Sequence, residues 1–387
     1  MFDVIVVGLG AMGSATLFEL ARRGVRALGV DQFSPPHTRG STHGRTRIIR
    51  EAYFEHPLYV PLVRRAYELW EELEHESGRK LFHQTGGLMI GPADGALVAG
   101  ALRSAVAHDV QHEMLGADEV RRRWPAYDPP DDHAALFELR AGLLLPEVCV
   151  ETHLELARGK GGTTRTGERV RTWRADGDGV AVTTDAGTHR AARVVVTAGP
   201  WLRSLVPDLP LPLTIERQMF HWFEPSARRD LHQASRCPLA LWEFERDRMV
   251  ATFPDLGDGV KAGVHHEGEA TDPATVRRDT TPEEDAGIRD ILARLMPDAA
   301  GRQLEARVCL YTNTPDHDFL IDTHPAYPEV LLVSPCSGHG FKFASAIGEV
   351  VADTIVRGKT GFDLTPFRLD RFGRRAATSE LEASRGR

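Results

Sequence analysis

The junction at residues 2 to 13 constrains this chain more than any other stretch. Phe2 to Val7 is an apolar, β-branched run that reads as a buried strand, and Gly8-Leu9-Gly10-Ala11-Met12-Gly13 follows it directly. Gly-x-Gly-x-x-Gly in that position predicts a tight turn opening a helix. Gly8 permits the turn, Gly10 lets a ligand approach the backbone, and Gly13 lets helix and strand pack closely. A helix from Ser14 to Arg23, a break at Gly24 and a short strand from Ala27 to Val30 complete a βαβ unit that ends on Asp31. An acid about 20 residues beyond the glycines accepts hydrogen bonds from a ribose diol, while the helix N-terminus favours a pyrophosphate. The motif therefore predicts a dinucleotide site and leaves NAD and FAD open.

Beyond it, residues 32 to 46 have a loop composition too long for a simple connection, which marks them as functional. Pro61 to Glu76 has the apolar spacing of an amphipathic helix. From about residue 80 the texture changes to short strands such as Gly87 to Ile90 and charged helices such as Ala117 to Arg123. Glu168 to Val196 alternates in polarity, turns at Asp176-Gly177-Asp178-Gly179 and ends in Val194-Val195-Val196-Thr197-Ala198-Gly199. Thr281, Pro282 and Glu284 spell a capping box at a helix start. A strand from Val330 to Val333, a glycine turn and a helix from Phe343 to Val356 follow, and the tail after Arg374 is expected to fray.

Composition excludes several classes. A chain of 387 residues exceeds what one core usually spans, so two domains are expected. With 47 basic against 55 acidic residues the net charge is −8, which gives no footprint for nucleic acid or an anionic membrane. Four cysteines without a C-x-x-C pair suit neither a disulfide scaffold nor zinc. The apolar N-terminus carries Asp3 and breaks at Gly8, so a signal peptide is not expected, and a cytoplasmic protein is. Serine-hydrolase, zincin and P-loop signatures are missing from the sequence. His265-His266-Glu267 predicts no metal site, because adjacent side chains on a strand point to opposite faces. Only five lysines occur, at 80, 160, 261, 342 and 359, so any lysine in a motif is informative.

Two segments tilt the cofactor toward flavin. Gly40 to Arg50 combines small residues with Arg45, Arg47 and Arg50, a loop able to follow an extended cofactor and offer guanidinium groups to anions. Cys336-Ser337-Gly338-His339-Gly340-Phe341-Lys342 is a glycine turn opening a helix, whose N-terminus suits the negative charge of a reduced flavin.

These residues carry a resemblance. The GLGAMG turn, GSTHGRTRIIREAY at 40 to 53, VCLYTNTPDHDFLID at 308 to 322 and SGHGFKFASAIGEV at 337 to 350 resemble, in order, the monomeric sarcosine oxidase and N-methyltryptophan oxidase family. The resemblance spans nearly the whole chain. It implies an FAD cofactor attached through its 8α-methyl carbon to a cysteine thioether, and the matching cysteine is Cys309. Attachment needs a thiolate, which cations such as Arg47 or Arg307 would favour. The FAD contacts it implies begin with Gly8, Gly10, Ala11, Met12, Gly13, Asp31 and Gln32. They continue through Gly40, Ser41, Thr42, Arg47 and Ile48, then Val170, Ala198, Gly199 and Trp201, and end at Gly338, Gly340, Phe341 and Lys342.

By the same resemblance, Arg50 and Lys342 bind a substrate carboxylate and so aim an N–CH bond at flavin N5. Lys261 matches a lysine that promotes oxygen reduction by stabilising superoxide-like charge. Arg47 is counted with the catalytic set, and His265, Tyr311 and Tyr53 match residues lining or near the substrate cavity. One position departs: sarcosine-specific relatives tend to have tyrosine just before a Phe-Pro pair, where this chain reads Ala251-Thr252-Phe253-Pro254. N-methylglycine, a bulkier N-methyl amino acid and a cyclic imino acid all stay open as substrates.

The expected fold is α/β. A discontinuous Rossmann-type FAD-binding domain takes 1–80, 150–215 and 303–387, a mixed-sheet substrate domain takes 81–149 and 216–302, and the active site lies between them. The expected reaction, in a monomer, is oxidation of a secondary amine bearing a carboxylate, with hydride transfer to flavin, imine hydrolysis and reduction of O2 to H2O2. A flavin dehydrogenase using another acceptor, an NAD-dependent dehydrogenase and a non-catalytic nucleotide binder are the alternatives.

Overall fold

Strand β1 (Phe2–Val7), helix α1 (Ala11–Arg22) and strand β2 (Ala27–Asp31) form the βαβ unit that the glycine spacing predicts. The computed structural model describes residues 1–373, and the tail expected to fray lies outside the described residues. Helix α1 starts at Ala11 rather than Ser14, because Gly10 is its N-cap and the last glycine of the motif, Gly13, already belongs to the first turn. Residue contacts divide the chain into two compact units: Met1–His43, Glu147–Ile215 and Tyr311 onward, and Gly44–Pro146 with Glu216–Leu310.

In the first unit β1 is central to a mixed sheet. It pairs in parallel with β2, Val7 opposite Val30, and with the strand Gly187–Val196, Val7 opposite Val196. The sheet extends through β2 to Thr163–Thr166 and on the other side through the hairpin Val170–Asp176 and Gly179–Thr184. Tyr327–Ser334 pairs in parallel with Gly187–Val196. Continuous apolar runs mark strands covered on both faces, and Ile5, Val7, Leu28, Val30, Val194 and Val196 are all buried in one core. Helix α1 packs on Ala344–Arg357 through small residues; a Cβ on Gly348 would stand 2.7 Å from the Ala15 backbone.

The second unit is built on an eight-stranded sheet ordered Gln303–Asn313, Thr214–Phe223, Val260–His265, Arg248–Phe253, Leu239–Glu245, Gly87–Pro92, His133–Glu138 and Glu113–Gly116. A three-stranded sheet, Arg47–Ile49, Gly142–Leu144 and Phe82–Gln84, belongs to the same unit. Strand alternation gives the large sheet two distinct faces. On one, Val250, Val260 and Ala262 pack against Ile288, Leu292 and Leu295 of the helix Pro282–Leu295. That helix has the expected capping box: Thr281 Oγ1 accepts from the Glu284 N–H at 3.3 Å, and Glu284 Oε2 from the Thr281 N–H at 2.8 Å. On the other face Ala251 and Phe253 meet Ile48, Leu143 and Leu239.

Residues 44 to 80, which the sequence reading put in the first domain, group with the second unit. Arg47–Ile49 pairs with Gly142–Leu144, and the helix Val60–Ser77 is anchored by Arg64 to Glu51 Oε2 at 2.7 Å and to the His108 carbonyl at 2.7 Å. Among the described residues no helix is long and apolar enough to cross a membrane.

His153, in the helix Pro146–Gly159, lies 5.6 Å from the Phe18 ring, and burial pushes its imidazole down to about 3. The unfolded chain, with histidine near 6.5, binds this proton more readily than the fold does, so stability falls as pH drops from about 6.5 toward 3. His153→Phe should remove about 3 kcal/mol of that acid sensitivity between about pH 7 and 4. Urea unfolding midpoints of both proteins from pH 7 to 4 check it; parallel curves would show that His153 is not the group responsible.

Candidate active site

In the first unit the three glycines answer to different constraints. Gly8 has φ +92°, and a Cβ on it would be 2.7 Å from the Thr197 carbonyl. A Cβ on Gly13 would stand 1.7 Å from the Gly8 oxygen, a position no side chain can take. Gly10 is different: its Cβ would meet only Thr42 Oγ1, at 3.5 Å. The protein's own packing forbids a side chain at Gly8 and Gly13 but not at Gly10, which fits a cradle kept clear for a ligand. Ala11 donates its N–H to Thr42 Oγ1 at 3.3 Å, and the first turn of α1 has no acidic side chain, so its dipole suits a phosphate.

Asp31 closes the turn from the other side. Its Oδ2 accepts the Leu9 N–H at 2.7 Å and its Oδ1 the Phe33 N–H at 2.8 Å. Burial pushes its carboxyl up, against those two bonds and the charge of His37. The carboxylate thus fixes the glycine turn, and lone pairs remain for a diol. Gln32 follows it, half-buried. Trp201, half-buried after Ala198 and Gly199, sits 5.6 Å from Phe33 and 3.5 Å from where a Gly40 Cβ would be. Ser41, Thr42 and Met12 are half-buried, and Val170 opens its strand with its side chain buried.

The C-terminal glycine turn is equally crowded. A Cβ on Gly340 would be 1.6 Å from the Pro335 carbonyl, and Gly338 has φ +78°. Phe341 begins a short 3-10 turn that feeds the helix Ala344–Arg357, and Lys342, 5% exposed, donates from Nζ to the His339 carbonyl at 2.6 Å. Tyr311 is half-buried on the strand Gln303–Asn313.

In the second unit, strand parity gathers the candidates. Phe253 and Trp222 stand opposite Lys261, Gly263 opposite Ala251, and His265 opposite Met249. All therefore share the face turned away from the helix-covered core. Lys261 is 1% exposed, with Nζ 4.2 Å from the Phe220 ring centroid, 4.3 Å from Phe253 and 5.5 Å from Trp222. It donates to the Gly44 carbonyl at 2.8 Å, the Thr46 carbonyl at 2.9 Å and Thr46 Oγ1 at 3.1 Å. Next along the chain, Arg47 lays its guanidinium 4.9 Å over Phe220 and points Nη2 at Cys309 Sγ, 3.6 Å away. Cys309 is 1% exposed, clustered with Phe220 and Trp222. Arg307, the other cation considered for that thiol, pairs with Glu305 and lies 5.8 Å over Trp222.

Arg50 is 2% exposed. Its Nη1 donates to the Ala52 carbonyl at 2.8 Å and its Nη2 to Glu55 Oε2 at 2.8 Å, while the guanidinium lies 4.5 Å over Tyr53 and 4.8 Å over Phe54. Its buried Nε–H has no partner, a donor left for an anion. Tyr53 is fully buried beneath this guanidinium and beside Tyr59, 5.0 Å away, so it shapes Arg50. The His265-His266 pair corrects one expectation: the rings are 4.0 Å apart rather than on opposite faces, because the strand ends at His265 and His266 turns to φ +59°.

Sequence reasoning missed the aromatic cage of Phe220, Trp222 and Phe253, although Phe220 and Trp222 already alternate along one strand. It also missed Glu138, which no motif marks. This carboxylate is 1% exposed and accepts the Glu51 N–H at 2.8 Å and the Ala52 N–H at 2.8 Å.

The fold and these clusters are those of a flavoprotein oxidoreductase. The family model described as FAD dependent oxidoreductase matches residues 3–354. The chain is 42% identical to the monomeric sarcosine oxidase of Streptomyces avermitilis, over 95% of this chain and 96% of the relative. It is 36% identical to the N-methyl-L-tryptophan oxidase of Salmonella typhimurium, over 96% of this chain and 99% of that one. Among solved structures, NikD, an unusual amino acid oxidase essential for nikkomycin biosynthesis, matches with a TM-score of 0.83 at 24% identity, covering 95% of this chain and 97% of that chain. L-proline dehydrogenase from P. horikoshii matches at 0.84 and 21%, covering 96% and 98%; both share the fold. The chain belongs to the FAD-dependent oxidoreductases that include monomeric sarcosine oxidase and N-methyl-L-tryptophan oxidase.

The glycine geometry separates ligand from scaffold. Gly10→Ala should fold with a stability loss under about 1 kcal/mol but retain less FAD, whereas Gly13→Ala should cost at least about 3 kcal/mol. Thermal unfolding together with the flavin-to-protein absorbance ratio distinguishes them; a Gly10→Ala protein with full flavin would remove the cradle reading.

Proposed function

We propose that the protein oxidises a secondary amine bearing a carboxylate, an N-methyl or cyclic amino acid, with O2 as acceptor and FAD joined covalently to Cys309. The observation that carries this reading is the convergence of Lys261, Cys309, Arg47, His265 and Ala251 around one face of the second unit's sheet. It is supported by 36–42% identity to oxidases of sarcosine and N-methyl-L-tryptophan. Bound FAD supplies the two-electron chemistry. The chain supplies placement and charge. Arg50, with its spare buried donor, holds the carboxylate and so orients the amine-bearing carbon. Lys261 contributes positive charge in an apolar cage where oxygen is reduced. With FAD bound, the Arg47 guanidinium would favour the thiolate of Cys309, which would bond to the flavin 8α-carbon as that carbon gives up a proton, the two electrons released passing through the flavin to O2. No side chain acts as a strong general base. A monomer in the cytoplasm completes the reading.

The attachment is tested by the visible spectrum after acid precipitation. Yellow colour should remain in the wild-type pellet and leave with the supernatant of Cys309→Ala. Colour released from the wild type as well would leave a non-covalent flavoprotein.

Ala251 is half-exposed on the candidate face, so a methyl group occupies a position where an aromatic ring would fill space. A substrate larger than N-methylglycine is the consequence. Ala251→Tyr should lower kcat/KM for N-methyl-L-tryptophan about tenfold relative to N-methylglycine, the discrimination a change in apolar pocket volume supports. Peroxide-coupled assays across an N-methyl amino-acid panel give the ratio, and an unchanged ratio would detach Ala251 from specificity.

A further inference from the structure

We infer that Glu138 is a positioning residue for carboxylate recognition, holding the backbone immediately after Arg50 so that the guanidinium stands ready for its ligand. This rests on the reading that Arg50 binds the substrate carboxylate. Glu138 ends the strand His133–Glu138 and is 1% exposed, so its burial alone costs several kcal/mol. Burial pushes its carboxyl up to about 7, even against the Ala52 and Glu51 N–H groups that favour its charge. An apolar side chain would fill the same space without that cost; the carboxylate is explained by what it holds.

Its two oxygens meet two N–H donors. Oε1 accepts from Glu51 at 2.8 Å, and Oε2 accepts from Ala52 at 2.8 Å and from Glu51 at 3.0 Å. Neither donor lies in a helix or a strand, so this carboxylate takes the place of a ladder partner. Ala52 then presents its carbonyl to Arg50 Nη1 at 2.8 Å. The Glu51 side chain is tied separately to Arg64 at 2.7 Å and Arg140 at 2.6 Å, which prevents the segment from turning about its own axis. A continuous path thus runs from the Glu138 carboxylate through Ala52 to the Arg50 guanidinium, which is further fixed by Glu55 and stacked on Tyr53 and Phe54. Nε is the guanidinium nitrogen with no partner, and the direction of its N–H is set by this bracing.

Glu138→Gln keeps the shape but puts an N–H donor where one carboxylate oxygen stood, so either the 2.8 Å bond from the Glu51 N–H is replaced by a donor–donor contact or the Ala52 N–H loses its acceptor. In the flavin-loaded enzyme, we expect the dissociation constant of acetate and the KM for the N-methyl amino acid turned over fastest to rise about tenfold, the scale of one hydrogen bond to a charged group. The kcat should stay within about twofold, since transition-state contacts are kept. In an Arg50→Gln background the same substitution should change acetate binding by less than about twofold, because Glu138 acts through Arg50. Glu138→Asp, which keeps the charge but reaches less far, gives the same split where the Gln variant yields no folded protein. Wild-type acetate affinity in folded Glu138→Gln, or equal loss with and without Arg50, overturns the inference. A wild-type holoenzyme that binds neither acetate nor any N-alkyl amino acid overturns the functional reading beneath it instead.

Discussion

Lys261 carries a full positive charge into a place 1% exposed, among Phe220, Phe253 and Trp222, and much of the second unit is arranged around that charge. Removing an ammonium from water costs several kcal/mol. Cation–π attraction returns up to about 2 kcal/mol at a desolvated site, which is not enough. The balance comes from charge-assisted hydrogen bonds of about 1.5–3 kcal/mol each, here to two carbonyls and one hydroxyl of the Gly44–Thr46 turn. The turn is shaped to deliver them. Gly44 has φ +97° with the Phe220 ring 3.3 Å from where a Cβ would be, and Arg45, at φ +66°, pairs with Asp258 and lies 5.0 Å over Trp222. Holding the turn also decides where its neighbours go. Arg47 is the next residue, and its guanidinium reaches the Cys309 thiol across the same Phe220 ring. An ammonium, a guanidinium and a thiol therefore share one aromatic floor.

The first unit depends on a different kind of constraint, the exclusion of side chains. Gly13 and Gly8 touch backbone to backbone at the start of α1, and Gly348 lets that helix approach the helix Ala344–Arg357. Asp31 then fastens the turn by accepting the Leu9 N–H. A helix N-terminus held this closely to a parallel strand has little freedom to relax when charge arrives, which is the property a phosphate site uses. Gly10 is exempt from that crowding, so packing within the protein does not account for a glycine there.

Much of this was legible in the residues because it is local. The βαβ unit, the capping box at Thr281, the helix Ala117–Arg123 and the hairpin at Asp176 to Gly179 follow from periodicity and turn chemistry that act over a few residues. Lys261 was singled out through motif resemblance without its partners, and Cys309 with Arg47 and Arg307 as alternative cations. The carbonyls that meet Lys261 are separated from it by 217 and 215 residues, and Glu138 reaches Glu51 and Ala52 over 87 and 86. The grouping of residues 44 to 80 differed for the same reason: an amphipathic helix states that it has an apolar face, and not which sheet that face will find.

The sequence by itself determined the class of fold, the dinucleotide turn and the residue types available for chemistry, since turn geometry, helix capping and strand burial are short-range consequences of side-chain size and shape. Only the tertiary structure decided which of those residues are charged neighbours. It made Tyr53 a support for Arg50, gave Arg47 rather than Arg307 to the Cys309 thiol, and set Glu138 beneath the segment that follows Arg50. The physical reason is desolvation. A buried charge is tolerated only where distant strands bring donors or acceptors to it, and that complementarity is a property of packed sheets and of no single stretch of chain.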